Sequence, residues 1–425
     1  MIKNIKKIIS CIAMTTVIGS MLVGCGGTGS SKSQSGDTTI TYSIWDKIQE
    51  PGMRQIADEF EKENPGIKVN IEVTPWDQYW TKMEAAATGG SLPDVFWMHA
   101  SQVEKYIGGN AIMDLTDKIS SSSLVDLNKF PQDLVDLYKS DGKNYAIPKD
   151  YDTVGLWYNK TLFDEAGISY PDETWTWDTL LENAKKLTNK DKGIYGLSAP
   201  LNTHEGIYDY VFQNNGKILS EDKSKSEYNS PETREALQWY VDLSLKEGVS
   251  PNQSQFAENP VITLFESGKT AMALFGSWMS AEFASNEYTS ANCNVSVLPQ
   301  GKTRGTVFNG LGNAVSAKTK NPEAAWKFVE FLGSEKANKI QAESGAAIPA
   351  YEGTSDAWTK SSDKFNLSVF TEMLDYATIK PYIKNNSKWE TEENNILKKI
   401  FSGDISVDEG CKQLEDKMNS VINEK

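Results

Sequence analysis

The stretch that decides the fold opens with Thr39-Ile40-Thr41-Tyr42-Ser43-Ile44-Trp45-Asp46, passes Asn64-Pro65-Gly66 and ends at Val95-Phe96-Trp97-Met98-His99. Ile40, Tyr42 and Ile44 alternate with Thr39, Thr41 and Ser43, which predicts a strand with one polar face. Met53, Ile56 and Phe60 recur at helical spacing until Asn64-Pro65-Gly66 stops the helix. Ile67, Val69, Ile71 and Val73 alternate again as a second strand. Trp76 to Thr88 reads as a helix ended by Gly89-Gly90, and Val95 to Trp97 as a short buried strand. This β-α-β-α-β order predicts an open α/β sheet with right-handed crossovers. Such sheets bind ligands at the carboxyl ends of their strands, where Trp45-Asp46 and Trp97 to His99 fall.

The pattern continues outward. Trp177 to Leu187 is a predicted helix behind a Thr176 cap, and Pro231 to Lys246 is another opened by Ser230. Gly268 ends a helix ahead of the strand Thr270 to Phe275, and Asn321-Pro322 opens a helix reaching Leu332. Both halves of the chain are therefore α/β. Beyond Asp37 lie nearly 390 of the 425 residues without a low-complexity break. That is more than one hydrophobic core usually supports, so two domains are expected.

At the other end, Lys3, Lys6 and Lys7 precede an apolar run from Ile8 to Val23, too short and interrupted for a membrane span and suited to an export signal. Its close, Leu22-Val23-Gly24-Cys25, resembles the lipobox of bacterial lipoproteins. The resemblance implies cleavage before Cys25 and a diacylglycerol on its sulfur, so the chain would sit on a membrane through its lipid alone. Gly26 to Asp37 is a Gly/Ser-rich flexible tether.

A formal charge of −15, made more acidic by loss of the signal lysines, argues against nucleic acid and against lying flat on anionic lipid. Arg54, Arg234 and Arg304 are the only arginines, which disfavours an anionic ligand. Lysine-rich, arginine-poor composition points to a low-GC Gram-positive host. His99 and His204 are the only histidines, and no metal-ligand spacing accompanies them or Cys293 and Cys411, so no metal or cofactor is expected. Those two cysteines could pair or remain buried thiols, and the second reading is preferred.

Several segments carry a family resemblance along almost the whole mature length. They include Ser91-Leu92-Pro93-Asp94-Val95-Phe96-Trp97, Tyr145-Ala146-Ile147-Pro148 and Leu156-Trp157-Tyr158-Asn159-Lys160. Further on come Gly268-Lys269-Thr270-Ala271-Met272, Gly276-Ser277-Trp278, Asn309-Gly310-Leu311-Gly312 and Asn321-Pro322-Glu323-Ala324-Ala325-Trp326. In that order they resemble the family 1 extracellular solute-binding proteins of carbohydrate ABC importers, which include the maltodextrin binders. The resemblance implies a two-lobed α/β, periplasmic-binding-protein-like fold with a hinge crossed three times. The crossings are expected near Pro148, Pro299 and Pro349, each stiffened by its proline. Residues 1–24 are then the signal, 25–37 the lipidated cysteine and tether, 38–148 with 300–348 the N-terminal lobe, and 149–299 with 349–425 the C-terminal lobe.

A pyranose offers a face of C–H groups and an equator of hydroxyls, so a cleft for it needs aromatic rings flanked by carboxylates and amides. Twelve tryptophans supply the rings. Trp45 and Asp46 close the first strand, and Trp76, Asp77 and Tyr79 start a helix where the maltodextrin binders make polar contacts. Trp97 matches a ligand-contacting tryptophan, although Ala100 stands where those binders carry an aspartate. Asp152 falls where they place a ligand-binding glutamate and is favoured over Asp150. Glu205 and Tyr208 match a loop giving a carboxylate and an aromatic, the tyrosine one register off. Trp278 matches the family's stacking tryptophan and Trp389 another, ahead of a helical stretch; Asn309 begins the return to the first lobe.

The expected role is capture of a sugar, an oligosaccharide by the tryptophan count, and delivery to ABC permease subunits by a monomer held outside the cell membrane. The alternative ligand is another small polar solute such as a glycerophosphodiester, against which the scarcity of arginine counts. An enzyme is not expected: no acid–base pair is designated and no nucleophile elbow, zinc motif or phosphate loop occurs.

Overall fold

The computed structural model describes residues 37–424; Cys25, the signal before it and all of the tether but Asp37 lie outside them. Ten strands position the functional residues. They are β1 (Thr38–Ile44), β2 (Ile67–Val73), β3 (Val95–His99), β4 (Ala146–Pro148), β5 (Asp152–Asn159), β6 (Met272–Gly276), β7 (Cys293–Ser296), β8 (Thr306–Asn309), β9 (Leu311–Val315) and β10 (Ala377–Ile379). The first sheet runs β2-β1-β3-β9-β4, with β2, β1 and β3 parallel and β9 antiparallel to both neighbours. The second runs β10-β8-β5-β6, and β7 also pairs with β5. Two sheets of separate strands make the two α/β lobes that the family resemblance implies.

The first sheet's helices arise as the periodicity demands. Helix α1 (Glu50–Glu63) buries Met53, Ile56, Ala57 and Phe60 on one stripe, each large side chain contributing about 1.5–3 kcal/mol of transfer free energy. Helix α2 (Trp76–Gly89) ends where Gly90 turns left-handed at φ 67°. Helix α3 (Ala100–Gly108) follows β3 directly. In the second lobe, Thr176 caps α4 (Trp177–Leu187) by accepting from the Thr179 amide. Helix α5 (Tyr208–Gln213) packs on α6 (Pro231–Leu245), which Ser230 caps. The short helices α7 (Gln253–Glu258) and α8 (Val261–Glu266) precede β6. Helix α9 (Pro322–Leu332) returns to the first sheet, and α10 (Asn386–Phe401) and α11 (Val407–Ile422) pack on α6. No helix of the described residues is long and apolar enough to cross a membrane.

The chain passes between sheets first from Pro148 to Asp152. A later pass lies at Pro349, which bridges Asp150. The remaining one is at Gly310 and not near Pro299. Gln300 pairs with Thr176 in the second lobe, and β8 still belongs to the second sheet through Phe308–Thr153 and Asn309–Asp152. Residues 300–309 therefore stay with the second lobe, against the expected boundary. A proline stiffens a segment without choosing the sheet it joins. Gly310 fits the pass because a Cβ there would come within 2.2 Å of the Asp150 carbonyl oxygen. Asp150 ties the passes together by accepting from the Leu311 amide at 2.8 Å and pairing with the buried Lys149 at 2.6 Å.

Cys293 and Cys411 are free and buried. Burial pushes both thiols up to about 12, leaving them neutral and unreactive.

Candidate ligand-binding cleft

Side chains from both lobes meet at the passes between sheets. On the first lobe, Trp45 leaves the end of β1 and collects rings around it, with Trp76 at 5.1 Å, Tyr79 at 5.0 Å and Trp97 at 5.0 Å, all edge to face. Trp76 is the outermost, 45 % exposed, and its ring meets that of His99 at 5.5 Å. Asp46 accepts from the Ile48 amide and from Gln49 Nε2, both at 2.8 Å, and so holds the turn into α1. Asp77 is exposed beside Trp76 on the first turn of α2.

The floor is the pairing of Asn309 with Asp152. Asn309 lies 3.4 Å from His99 Nε2 through its amide nitrogen and accepts from the Tyr382 hydroxyl at 3.2 Å. Burial, helped by the charges of Lys380 and His204, pushes the His99 imidazole well below its usual range, so it stays neutral. Across the floor, Asp152 Oδ1 is 2.9 Å from His204 Nε2, and the His204 ring meets Trp278 edge-on at 5.2 Å.

The second wall rests on a loop that Asn202 organises. Its side-chain oxygen accepts from the His204 and Glu205 amides, and its nitrogen donates to Glu205 Oε2 at 3.0 Å. Glu205 Oε1 accepts from the Gly276 amide at 3.0 Å, which joins the loop to the end of β6 just before Trp278. Burial raises the Glu205 carboxyl above its ordinary value.

Contacts thus link Trp45, Trp76, Asp152, Asn309, Glu205 and Trp278 about the passes between sheets. Asp46 is engaged in its own turn, and Asp77 stands exposed on the first turn of α2. The structure places four other candidates in the core. Trp97 is fully buried, donating from Nε1 to the Tyr42 hydroxyl at 2.6 Å with Lys149 Nζ 4.4 Å over its ring. Tyr79 is also fully buried and donates to the Trp97 carbonyl at 2.9 Å. Tyr208 donates to Glu393 Oε1 at 2.5 Å, and Tyr228 donates to the same oxygen. Trp389 lies inside α10 instead of ahead of a helix, one turn before Glu393, with its ring turned inward toward Tyr228. Strand β3 is covered on both faces, and the inward stripe of α10 carries Trp389, so position next to a loop does not mean exposure.

His99, His204 and Tyr382 join the cleft although none was named as a ligand contact, His99 having been placed only at the carboxyl end of its strand. The signal for the first two was present: they are the chain's only histidines, one at the end of β3 and one directly before Glu205. Rings at both walls with carboxylates, amides and imidazoles between them can cover C–H faces and exchange hydrogen bonds with hydroxyls. Among the described residues no cluster of side chains suits a metal ion.

Comparison with known proteins agrees with this architecture. Residues 46–339 match the family described as bacterial extracellular solute-binding protein. An ABC substrate-binding protein from Listeria monocytogenes, solved in complex with cycloalternan, is 30 % identical with a TM-score of 0.84, over 92 % of this chain and 100 % of that one. The multiple sugar-binding protein of Streptococcus mutans is 22 % identical over 98 % of this chain and 97 % of its own. The galactooligosaccharide-binding protein of Bacillus subtilis is 23 % identical over 93 % and 92 %.

Proposed function

Because this chain belongs to the bacterial extracellular solute-binding protein family, we propose that it captures an oligosaccharide between its two lobes and delivers it to an ABC importer. The observation that carries this reading is the run of side chains from Trp76 through His99, Asn309, Asp152 and His204 to Trp278. It crosses from one lobe to the other at the passes between sheets, with an aromatic ring at each end. The relatives named for sugars, including one solved with a cyclic oligosaccharide, support the same ligand class.

A ligand touching both walls stabilises the closed arrangement through contacts the open one lacks, and the importer can read that shape. The sugar leaves unchanged. The protein acts as a monomer on the outer face of the cell membrane, held by lipid on Cys25. A thermal-shift panel of mono- and oligosaccharides tests the ligand class, since a ligand that binds only the folded state raises the melting temperature. Chromatography after long incubation should recover the active sugar intact. A panel without any shift contradicts the carbohydrate reading, and cleaved sugar contradicts a purely binding role.

A further inference from the structure

Lys149 is a charged residue with only 3 % of its surface exposed, and the run of contacts from Trp76 to Trp278 does not include it. It follows Pro148 on the first pass, and its main chain holds the other two. The Lys149 amide donates to the Leu311 carbonyl at 2.7 Å, and its carbonyl accepts from the Ala350 amide at 3.2 Å. The side chain reaches into the first lobe. Its ammonium donates to Gln49 Oε1 at 3.0 Å and to Asp150 Oδ2 at 2.6 Å, and lies 4.4 Å over the Trp97 ring. Two lines of contact lead from there to the first wall of the cleft. One runs from Trp97 edge-on to Trp45, and from Trp45 edge-on to the exposed Trp76, at 5.0 and 5.1 Å. The other passes through Gln49, itself buried, whose Nε2 donates at 2.8 Å to Asp46 Oδ2 in the turn that follows Trp45.

Resting on the carbohydrate reading of the cleft, we infer that Lys149 is a positioning residue for capture, whose ammonium holds the wall of Trp45 and Trp76 in fixed register with the three passes. A buried ion pair adds little stability over a well-packed apolar pair, because desolvating both charges offsets their attraction. What it adds is direction. An ammonium attracts the face of an indole and an amide oxygen together, most strongly where water is excluded. An apolar side chain in its place would hold neither at a set angle. The first wall is therefore fixed to the strands that join the lobes, and Trp76 meets the sugar at the angle those strands set. The second wall is built separately, since Trp278 lies against Gly276 at the end of β6. That asymmetry makes the role of Lys149 measurable.

Calorimetry on the full chain, with the tightest binder among maltose, maltotetraose and cycloalternan, tests this through double-mutant cycles. Lys149→Met alone would strand the Asp150 carboxylate. The ammonium is therefore removed as the neutral pair Lys149→Met with Asp150→Asn, which keeps an acceptor for the Leu311 amide. In the wild-type background Trp76→Ala and Trp278→Ala should each weaken binding about tenfold or more. In the neutral-pair background Trp76→Ala should cost about twofold or less, while Trp278→Ala still costs about tenfold. Gln49→Met leaves the ion pair whole and cuts only the line to Asp46, so the Trp76→Ala loss should shrink there to about threefold. A merely structural ion pair would lower the melting temperature and leave both tryptophan losses unchanged. An undiminished Trp76→Ala loss in either background overturns the inference, and so does an equal fall in both losses or a Trp76→Ala variant without loss in the wild type. A wild-type chain that binds none of these sugars removes the cleft reading itself, whereas one that binds them with additive losses removes only the role of Lys149.

Discussion

The indole of Trp278 lies against the bare α-carbon of Gly276, so close that a Cβ built there would meet Cζ3 at 1.9 Å. Gly276 has an ordinary φ of −72°, so the demand for glycine is steric and not conformational. Its amide also donates to Glu205 Oε1, so one residue seats both the ring and the carboxylate of the second wall. Gly276→Ala must push the indole away. We expect sugar affinity to fall about tenfold and stability by about 1–3 kcal/mol, the usual cost of overpacking. Calorimetry and urea denaturation on the same variant check both numbers, and unchanged affinity would mean that the ring's position does not matter.

Glu393 is a buried carboxylate whose Oε1 accepts from two buried tyrosine hydroxyls, Tyr208 and Tyr228. Glu393→Ala removes their shared acceptor and should cost about 2–4 kcal/mol. Burial raises the Glu393 pKa, partly offset by those hydrogen bonds. The folded state therefore holds the proton more readily than the unfolded chain, and stability falls as pH climbs from the ordinary glutamate value through the raised one. Glu393→Gln is neutral throughout, so relative to wild type it should gain stability with rising pH and then level off. Denaturation between pH 4 and 8 measures the difference, and a pH-independent difference would contradict the assignment.

Much of this fold is written in the sequence, and the exceptions have physical causes. Ile40, Tyr42 and Ile44 alternate because β1 faces a core on one side, and all three are fully buried. Thr176 and Ser230 announce their helices because a side-chain acceptor must meet an unpaired amide. Trp97 misled because Phe96, Trp97 and Met98 are all buried in a strand covered on both faces, where alternation carries no direction. Tyr208 misled because its hydroxyl serves Glu393, a long-range contact that no local pattern records, and Trp389 because it lies on the buried stripe of α10. The pass at Gly310 was hidden because strand pairing, not proline, decides which lobe residues 300–309 join.

His99 gives a second pH signature, of opposite sign. Its folded pKa lies well below the usual range, mainly through burial. The unfolded chain takes up a proton near the ordinary value of about 6.5 while the folded one resists, so stability drops as pH falls below it. The slope should reach at most about 1.4 kcal/mol per pH unit. Melting temperatures from pH 7.5 to 5 should fall more steeply for wild type than for His99→Gln, and parallel curves would refute a half-buried imidazole held neutral.

The anchor is tested apart from the cleft. Cys25→Ala removes the sulfur that the lipobox resemblance assigns to lipid. The variant should appear as unprocessed precursor or in the medium instead of with membranes after fractionation. Normal processing with full membrane retention would contradict lipidation.

The central claim is that one sugar touches both lobes, and calorimetry of a single oligosaccharide against wild type, Trp76→Ala and Trp278→Ala tests it most directly. Trp76 is exposed on the first wall and Trp278 half-buried on the second, so neither substitution should unfold the chain. The account predicts that each weakens binding of that same sugar by on the order of 1–3 kcal/mol through lost stacking. Full affinity in either variant would confine the ligand to one lobe and contradict capture between them.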